Sequence, residues 1–243
     1  MAVIVIEHLE EVLTPWVFTE YKHAASLSNG NLIVTNLKDE GELACVSSFT
    51  EAYQESISEL AATDELLVLD PQAKDPLSVD DIRNFRYVVV GGIMGDYPPR
   101  GRTKEMLTEK LKAEARHLGP CQFSVDGAVY VTLSVAKGSV LNEMEVTLEI
   151  SLRTSLFEVV LPYCYPVREG KAVFSYELAK YILTLLEEDE AYAVLSGKPR
   201  RITDYGCRLE IPEIECEIVA EKVVRLGELS KRVNANDYIP RRV

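Results

Sequence analysis

No uninterrupted apolar run in this 243-residue chain approaches the roughly 20 residues needed to cross a bilayer. Basic residues are in deficit as well: 26 Lys and Arg stand against 39 Asp and Glu, a net charge of −13. That balance argues against a dedicated nucleic-acid binder, which draws much of its affinity from neutralising phosphates. A basic partner, such as a ribosomal protein, suits it better. Cysteines are few and scattered (Cys45, Cys121, Cys164, Cys207, Cys216), without a CxxC pair, and His8, His23 and His117 show no metal-ligand spacing. Neither a metal site nor a disulfide frame is expected; the thiols read as reduced, in a cytoplasmic protein. The N-terminus, MAVIVIEHLEE, lacks a basic leader and meets acids at once, so no signal peptide is read there. The GxGxxG and GK[ST] phosphate-binding signatures are also missing.

What is present starts with an ordinary globular composition, 47% hydrophobic and 27% charged, which allows one large domain or a main domain with a small appendage. The most informative stretch is 87–103, YVVVGGIMGDYPPRGRT. A buried-strand run, Tyr87 to Val90, meets Gly91, Gly92 and Gly95, then Asp96, Pro98, Pro99, Arg100 and Arg102. Glycines at a strand end let the main chain approach a ligand, and prolines fix the exit path. A tight turn would use the same glycines, so the spacing alone leaves both readings open.

Along the chain, residues 2–6, 32–35 and 66–69 read as strands. The apolar spacing of Leu9, Val12, Leu13, Trp16, Val17 and Tyr21 predicts a helix running through Pro15. Residues 48–62 read as a helix capped by Ser48 or Thr50, and 103–116 as strongly helical. Ser124 or Asp126 caps a further helix through Val135, which Lys137-Gly138 ends. Strands are expected at 146–150 and 157–161, and a helix at 175–186 closed by the acids 187–190. Alternating strands and helices predict an α/β fold with a parallel sheet over residues 1–197; residues 198–243 read as a β-rich appendage and tail. Three loops at strand ends (91–102, 117–124, 162–170) would converge on one pocket beyond the carboxyl ends of the strands.

At this point the residues resemble a known family. GGIMGDYPPRGRT is similar to the GGILGDHPPRDRT-type signature of a SPOUT-class methyltransferase family formerly labelled SAM-dependent RNA methyltransferase. IEHLEEVLTPWVFTEYKH (6–23), LVLDP (67–71), RHLGPCQFSVDGAV (116–129) and PYCY (162–165) match further family patterns in order. The resemblance implies a SPOUT-type α/β knot, with a C-terminal trefoil knot, that binds S-adenosyl-L-methionine (SAM). By motif, Gly91, Gly92, Ile93, Met94 and Gly95 would line the first cofactor loop, Leu118, Gly119, Pro120 and Gln122 the second, and Pro162, Tyr163 and Tyr165 the third. Cys164 stands where the family pattern often carries Arg, and Gly101 where it has Asp.

The family's fungal branch methylates an arginine of a small-subunit ribosomal protein, and the resemblance implies the same reaction here. A carboxylate would hold the protonated guanidinium bidentately. Asp96 is the candidate, with a backbone-bonding turn residue as its competing role. Glu20 and Glu7 are weaker candidates. Arg102 would steady the SAM carboxylate or the substrate. Arg100 is left open, as is Asp126, which could simply cap its helix. Trp16 is expected in the core. An RNA methyltransferase and a non-enzymatic SAM-binding ribosome assembly factor remain alternatives. A monomer is preferred over a homodimer, and no membrane association is expected.

Overall fold

The computed structural model describes residues 2–94 and 101–232. Parallel strands are covered on both faces, so they read as near-continuous apolar runs. Val3–His8 (β1) is such a run. It leads to helix Pro15–Ser28 (α1), whose Thr14 Oγ1 accepts from the Val17 N–H at 3.3 Å. Pro15 does not lie inside this helix, as the apolar spacing from Leu9 suggested, but opens it, where its missing N–H has no bond to lose. Leu32–Thr35 (β2) follows, then Glu40–Ser47 (α2), Glu51–Ala52 (β3) and Ile57–Leu60 (α3). The single helix expected over 48–62 is therefore replaced. Asp39 Oδ1 caps α2 at 2.9 and 3.0 Å, and a Ser56/Glu59 capping box starts α3. Short polar side chains mark many possible caps, and tertiary packing chose among them.

Leu66–Leu69 (β4), Val79–Asn84 (α4) and Tyr87–Gly92 (β5) come next. A π-helical turn, Lys104–Thr108, runs into Glu109–Leu111 (α5). Lys112, at φ 51°, breaks the helix expected to reach Arg116, and Glu114–Arg116 (β6) pairs with β4 instead. A free sheet edge outweighed local helix propensity. The resulting six-stranded sheet has the order β3-β2-β1-β5-β4-β6, and every neighbouring pair is parallel, as expected. Ile4, Ile6, Leu67, Leu69, Val88 and Val90 face the larger core with α1 and α4; Val5, Val68 and Val89 face α3, the π turn and α5.

Val125–Ala136 (α6) has Ser124 as its N-cap and ends at Lys137-Gly138, as predicted, and packs beside α1. Beyond it lie Glu145–Thr147 (β7), Ile150–Arg153 (β8), Glu158–Leu161 (β9), Tyr165–Arg168 (β10) and Lys171–Ala172 (β11). The strand expected at 146–150 is two strands in different sheets. Tyr176–Thr184 (α7) gives way to Leu186–Ser196 (α8), so the acids 187–190 open a second helix rather than close the first. Acids in a first turn face the positive end of the helix. Glu217–Ala220 (β12) pairs with β8 and Val223–Arg225 (β13) with β7, and Leu226–Arg232 (α9) buries Leu226 and Leu229 in the larger core.

Four of the five cysteines are not free thiols: Cys45–Cys207 and Cys121–Cys164 are disulfides with Cα–Cα separations of 5.0 and 5.7 Å, which corrects the reading of a reduced set. Partners 162 and 43 residues apart leave no local spacing signal. The expected trefoil knot depends on how the chain threads after β5, and residues 95–100 lie outside the described residues.

Candidate active site

The carboxyl ends of β4, β5 and β6 open into a cavity of about 1330 Å³. Drug-sized ligands occupy roughly 300–1,000 Å³, so there is room for more than one group. Leu69, Val90, Gly91, Leu118 and Phe123 line it from the strand ends and the loops after them, and Trp16, Glu20, Asp189 and Arg200 line it from α1, α8 and the segment after α8. The three loops read from sequence do converge there. Gly91, Ile93, Met94, Leu118, Gly119, Pro120, Gln122, Pro162, Tyr163, Tyr165 and Arg102 all line the cavity. Gly95, Asp96 and Arg100 lie outside the described residues.

Gly92 is the exception among the described candidates, because its bare Cα faces the protein interior. A Cβ there would stand 2.1 Å from Tyr21 Oη and 2.9 Å from the Glu7 carbonyl oxygen. Tyr21 is fully buried and its hydroxyl meets His8 Nδ1 at 2.9 Å. Burial lowers the His8 pKa to about 4 and raises that of Tyr21 well above its ordinary value, so both are neutral and share one hydrogen bond. The absent side chain of Gly92 thus makes room for a buried tyrosine. Glu7 serves the fold too, its carboxylate accepting from Thr35 Oγ1, Ser56 Oγ and the Ile57 N–H at 2.5, 2.6 and 3.0 Å.

In the second loop, Gly119 adopts φ +99° and its N–H donates to His117 Nδ1 at 2.9 Å; desolvation holds His117 below its ordinary pKa. A Cβ at Gly119 would meet Leu226 Cδ2 at 3.3 Å. Gly119→Ala is expected to lose about 1–2 kcal/mol of stability, read as a lowered urea midpoint with an unchanged slope. Between bare main chain at Gly91 and Gly119, apolar Leu69, Val90, Leu118 and Phe123 form a cradle. That chemistry fits an adenosyl group, with main-chain amides to read its edge and apolar surface to take its ring. Gly101, at φ +69°, would drive a Cβ to 2.4 Å from Gln72 Nε2, which accounts for glycine at that position.

The lining from α1 and α8 was barely legible in the sequence. Trp16, expected in the core, is half-buried: it packs against the smaller core of Ile150, Leu152, Tyr165 and Leu178 and also lines the cavity, its Nε1 donating to Glu20 Oε1 at 2.9 Å. The Val125 N–H, at the start of α6, also bonds the Glu20 carboxylate. Burial, and then the nearby Asp126, raise the Glu20 pKa to about 8. Asp126 is buried and occupied by other partners: Ser124 Oγ at 2.5 Å, the Gly127 N–H at 2.8 Å and His23 Nδ1 at 2.6 Å. It therefore braces the start of α6 while adding negative potential. On α8, Asp189 accepts from Tyr181 Oη at 2.6 Å and from Tyr205, and lies 3.5 Å from Arg200 Nε. Arg102 pairs with Glu10 at 3.5 Å and donates to the Met94 carbonyl. Among the described residues no group of three or more His, Cys, Asp or Glu could hold a metal ion, and no helix is long and apolar enough to cross a membrane.

A family model described as protein arginine N-methyltransferase SFM1-like matches residues 3–190. Protein arginine N-methyltransferase SFM1 of Saccharomyces cerevisiae is 29% identical, over 78% of this chain and 96% of its own length. The crystal structure of the yeast arginine methyltransferase SFM1 complexed with SAM matches with a TM-score of 0.68 at 26% identity, covering 75% of this chain and 90% of that one. The same enzyme complexed with SAH matches with a TM-score of 0.65 at 25% identity, covering 74% and 93%.

Proposed function

Because the chain belongs to the SFM1-like family of protein arginine N-methyltransferases, we propose that it methylates an arginine side chain of a basic protein, a ribosomal protein in the first instance, and that Glu20 receives the acceptor guanidinium. The single observation that carries this is a buried carboxylate facing the cavity beside the adenosyl cradle, aimed by Trp16 and the Val125 N–H. The net charge of −13 supports a basic partner. In the first loop, Asp96 keeps its place as a second candidate carboxylate.

SAM supplies an electrophilic methyl group on sulfur when bound. The remaining work falls to the chain's own residues, which must place one guanidinium nitrogen in line with that methyl and take up one proton. The Glu20 carboxylate orients the guanidinium by charge-assisted hydrogen bonds, and Trp16, Tyr163 and Tyr165 line the same cavity. As the new N–C bond forms and the C–S bond breaks, the nitrogen's proton passes to a Glu20 oxygen. A carboxylate with a pKa raised to about 8 is a far better proton acceptor than an exposed one. Arg102, which lines the cavity, would meet the carboxylate end of the cofactor.

The free enzyme must have Glu20 ionised to take a cation, so kcat/KM for the protein acceptor is expected to rise with pH through about 8 and then level. A pH–rate profile checks it; a flat profile between pH 6 and 9 removes Glu20 from this role. To identify the acceptor, labelled SAM is incubated with purified ribosomal proteins and, separately, ribosomal RNA. Label on arginine is the expected outcome, whereas label in RNA, or none in either, overturns the protein reading. Residues 1–197 are taken as the methyltransferase domain and 198–243 as an appendage and tail, of which β12, β13 and α9 pack against the rest. The acting unit is taken as a monomer, and its location as the cytoplasm.

A further inference from the structure

We infer that the Cys121–Cys164 disulfide is a positioning element of the cofactor cradle, and that its covalent state sets how tightly an adenosyl ligand is held. This rests on the reading that the cavity binds SAM. Cys121 sits between Pro120 and Gln122 in the loop from β6 to α6, and Cys164 between Tyr163 and Tyr165 in the connection from β9 to β10. All four flanking residues, and Cys121 itself, line the cavity. The bond therefore ties two walls of one cradle that come from separate parts of the chain. Their main-chain link, from the Cys164 N–H to the Gln122 carbonyl, is a long 3.3 Å and extends into an isolated bridge between Phe123 and Cys164.

Holding two walls in place before binding removes an ordering cost that a ligand would otherwise meet. The other disulfide offers an internal comparison. Cys45–Cys207 joins α2 to the segment before β12, and neither of its cysteines lines the cavity. Cys121 and Cys164 are 6% and 5% exposed, and Cys121 lines the cavity, so the side of the bond open to a reductant is the one a ligand would cover. Reduction takes two electrons and two protons from a dithiol, which ends as its own cyclic disulfide; the Sγ–Sγ bond breaks and each cysteine becomes a thiol. By linkage, if the bond strengthens ligand binding by some factor, bound ligand must make the bond harder to reduce by that same factor.

The test uses S-adenosylhomocysteine, which binds without reacting, and calorimetry on the full chain. In the C45S/C207S background a dithiol acts on Cys121–Cys164 alone, and reduction is expected to weaken binding by about 5- to 50-fold. Saturating S-adenosylhomocysteine should shift the thiol–disulfide equilibrium of that pair by the same factor. The C45S/C207S change itself should lower Tm by about 5–15 °C and leave affinity unchanged. If that variant fails to fold, C121S/C164S in the otherwise oxidised chain gives the same comparison. Equal affinity in the joined and cleaved states overturns the inference, as does a thiol titration finding both cysteines free in air-equilibrated protein. Oxidised wild-type chain that binds no S-adenosylhomocysteine would instead overturn the cofactor reading beneath it.

Discussion

Gly92→Val is expected to destabilise the protein by about 3–5 kcal/mol, well beyond the usual effect of a point substitution. The new Cβ would lie 2.1 Å from Tyr21 Oη, 2.9 Å from the Glu7 carbonyl oxygen and 3.0 Å from Ile6 Cγ2. Neither Glu7 nor Ile6 can retreat, because β1 and β5 are paired from Val3 through His8 at the centre of the sheet. Tyr21 is the only flexible neighbour of the three, and moving it breaks its hydrogen bond to His8 in a fully buried place. Urea denaturation should show the loss directly, with Tm lower by 10 °C or more by order of magnitude. Gly92→Ala combined with Tyr21→Phe should recover part of it, since the phenylalanine removes the atom in closest conflict. Gly91→Ala is the control: its Cβ would meet Ile93 Cδ1 at 3.4 Å, an ordinary contact, and stability should stay within about 1 kcal/mol. A Gly92→Val protein as stable as its parent would show that the tyrosine does not lie under the strand.

Glu20→Gln should separate activity from stability. Its expected effect on kcat/KM is a loss of about 100-fold or more, because an amide neither pairs with a guanidinium nor takes its proton. The stability effect runs the other way. A glutamate whose pKa is raised from 4.5 to about 8 in the fold keeps a proton that the unfolded chain releases in the window between those values. The folded state then binds more protons than the unfolded one, so parent stability falls as pH rises from about 4.5 to about 8. Glutamine cannot ionise and escapes this loss. At pH 8 the variant should be more stable than the parent by an amount on the order of 3 kcal/mol, and near pH 4 the gap should close. Thermal unfolding across that range, alongside methylation assays, tests both arms. A variant that keeps its activity would make Glu20 a structural residue and return the acceptor role to Asp96.

The strands of the parallel sheet were legible because burial on both faces demands apolar runs, and VIVIEH, LLVL and YVVV are such runs. The three loops that line the cavity were legible for a related reason. Glycine and proline mark local backbone geometry, which acts at short range. Helix limits were less so: Ser48, read as the start of a helix, instead ends α2, which Asp39 opens, and Lys112 stops a segment whose propensity is helical throughout.

Local chemistry, then, was enough to mark β1, β2, β4 and β5, the α6 helix and the loops that end in glycine, whereas β3 and β6, in segments that read as helical, were set by pairing with strands distant in sequence. Packing alone decided that Gly92 accommodates Tyr21, that Trp16 turns its edge toward a cavity, and that Cys121 meets Cys164. It also decided the proton affinity of Glu20, because that property belongs to the surroundings of a carboxylate. Burial and the approach of Asp126, 106 positions away in the chain, exist only once α1 and α6 are pressed together.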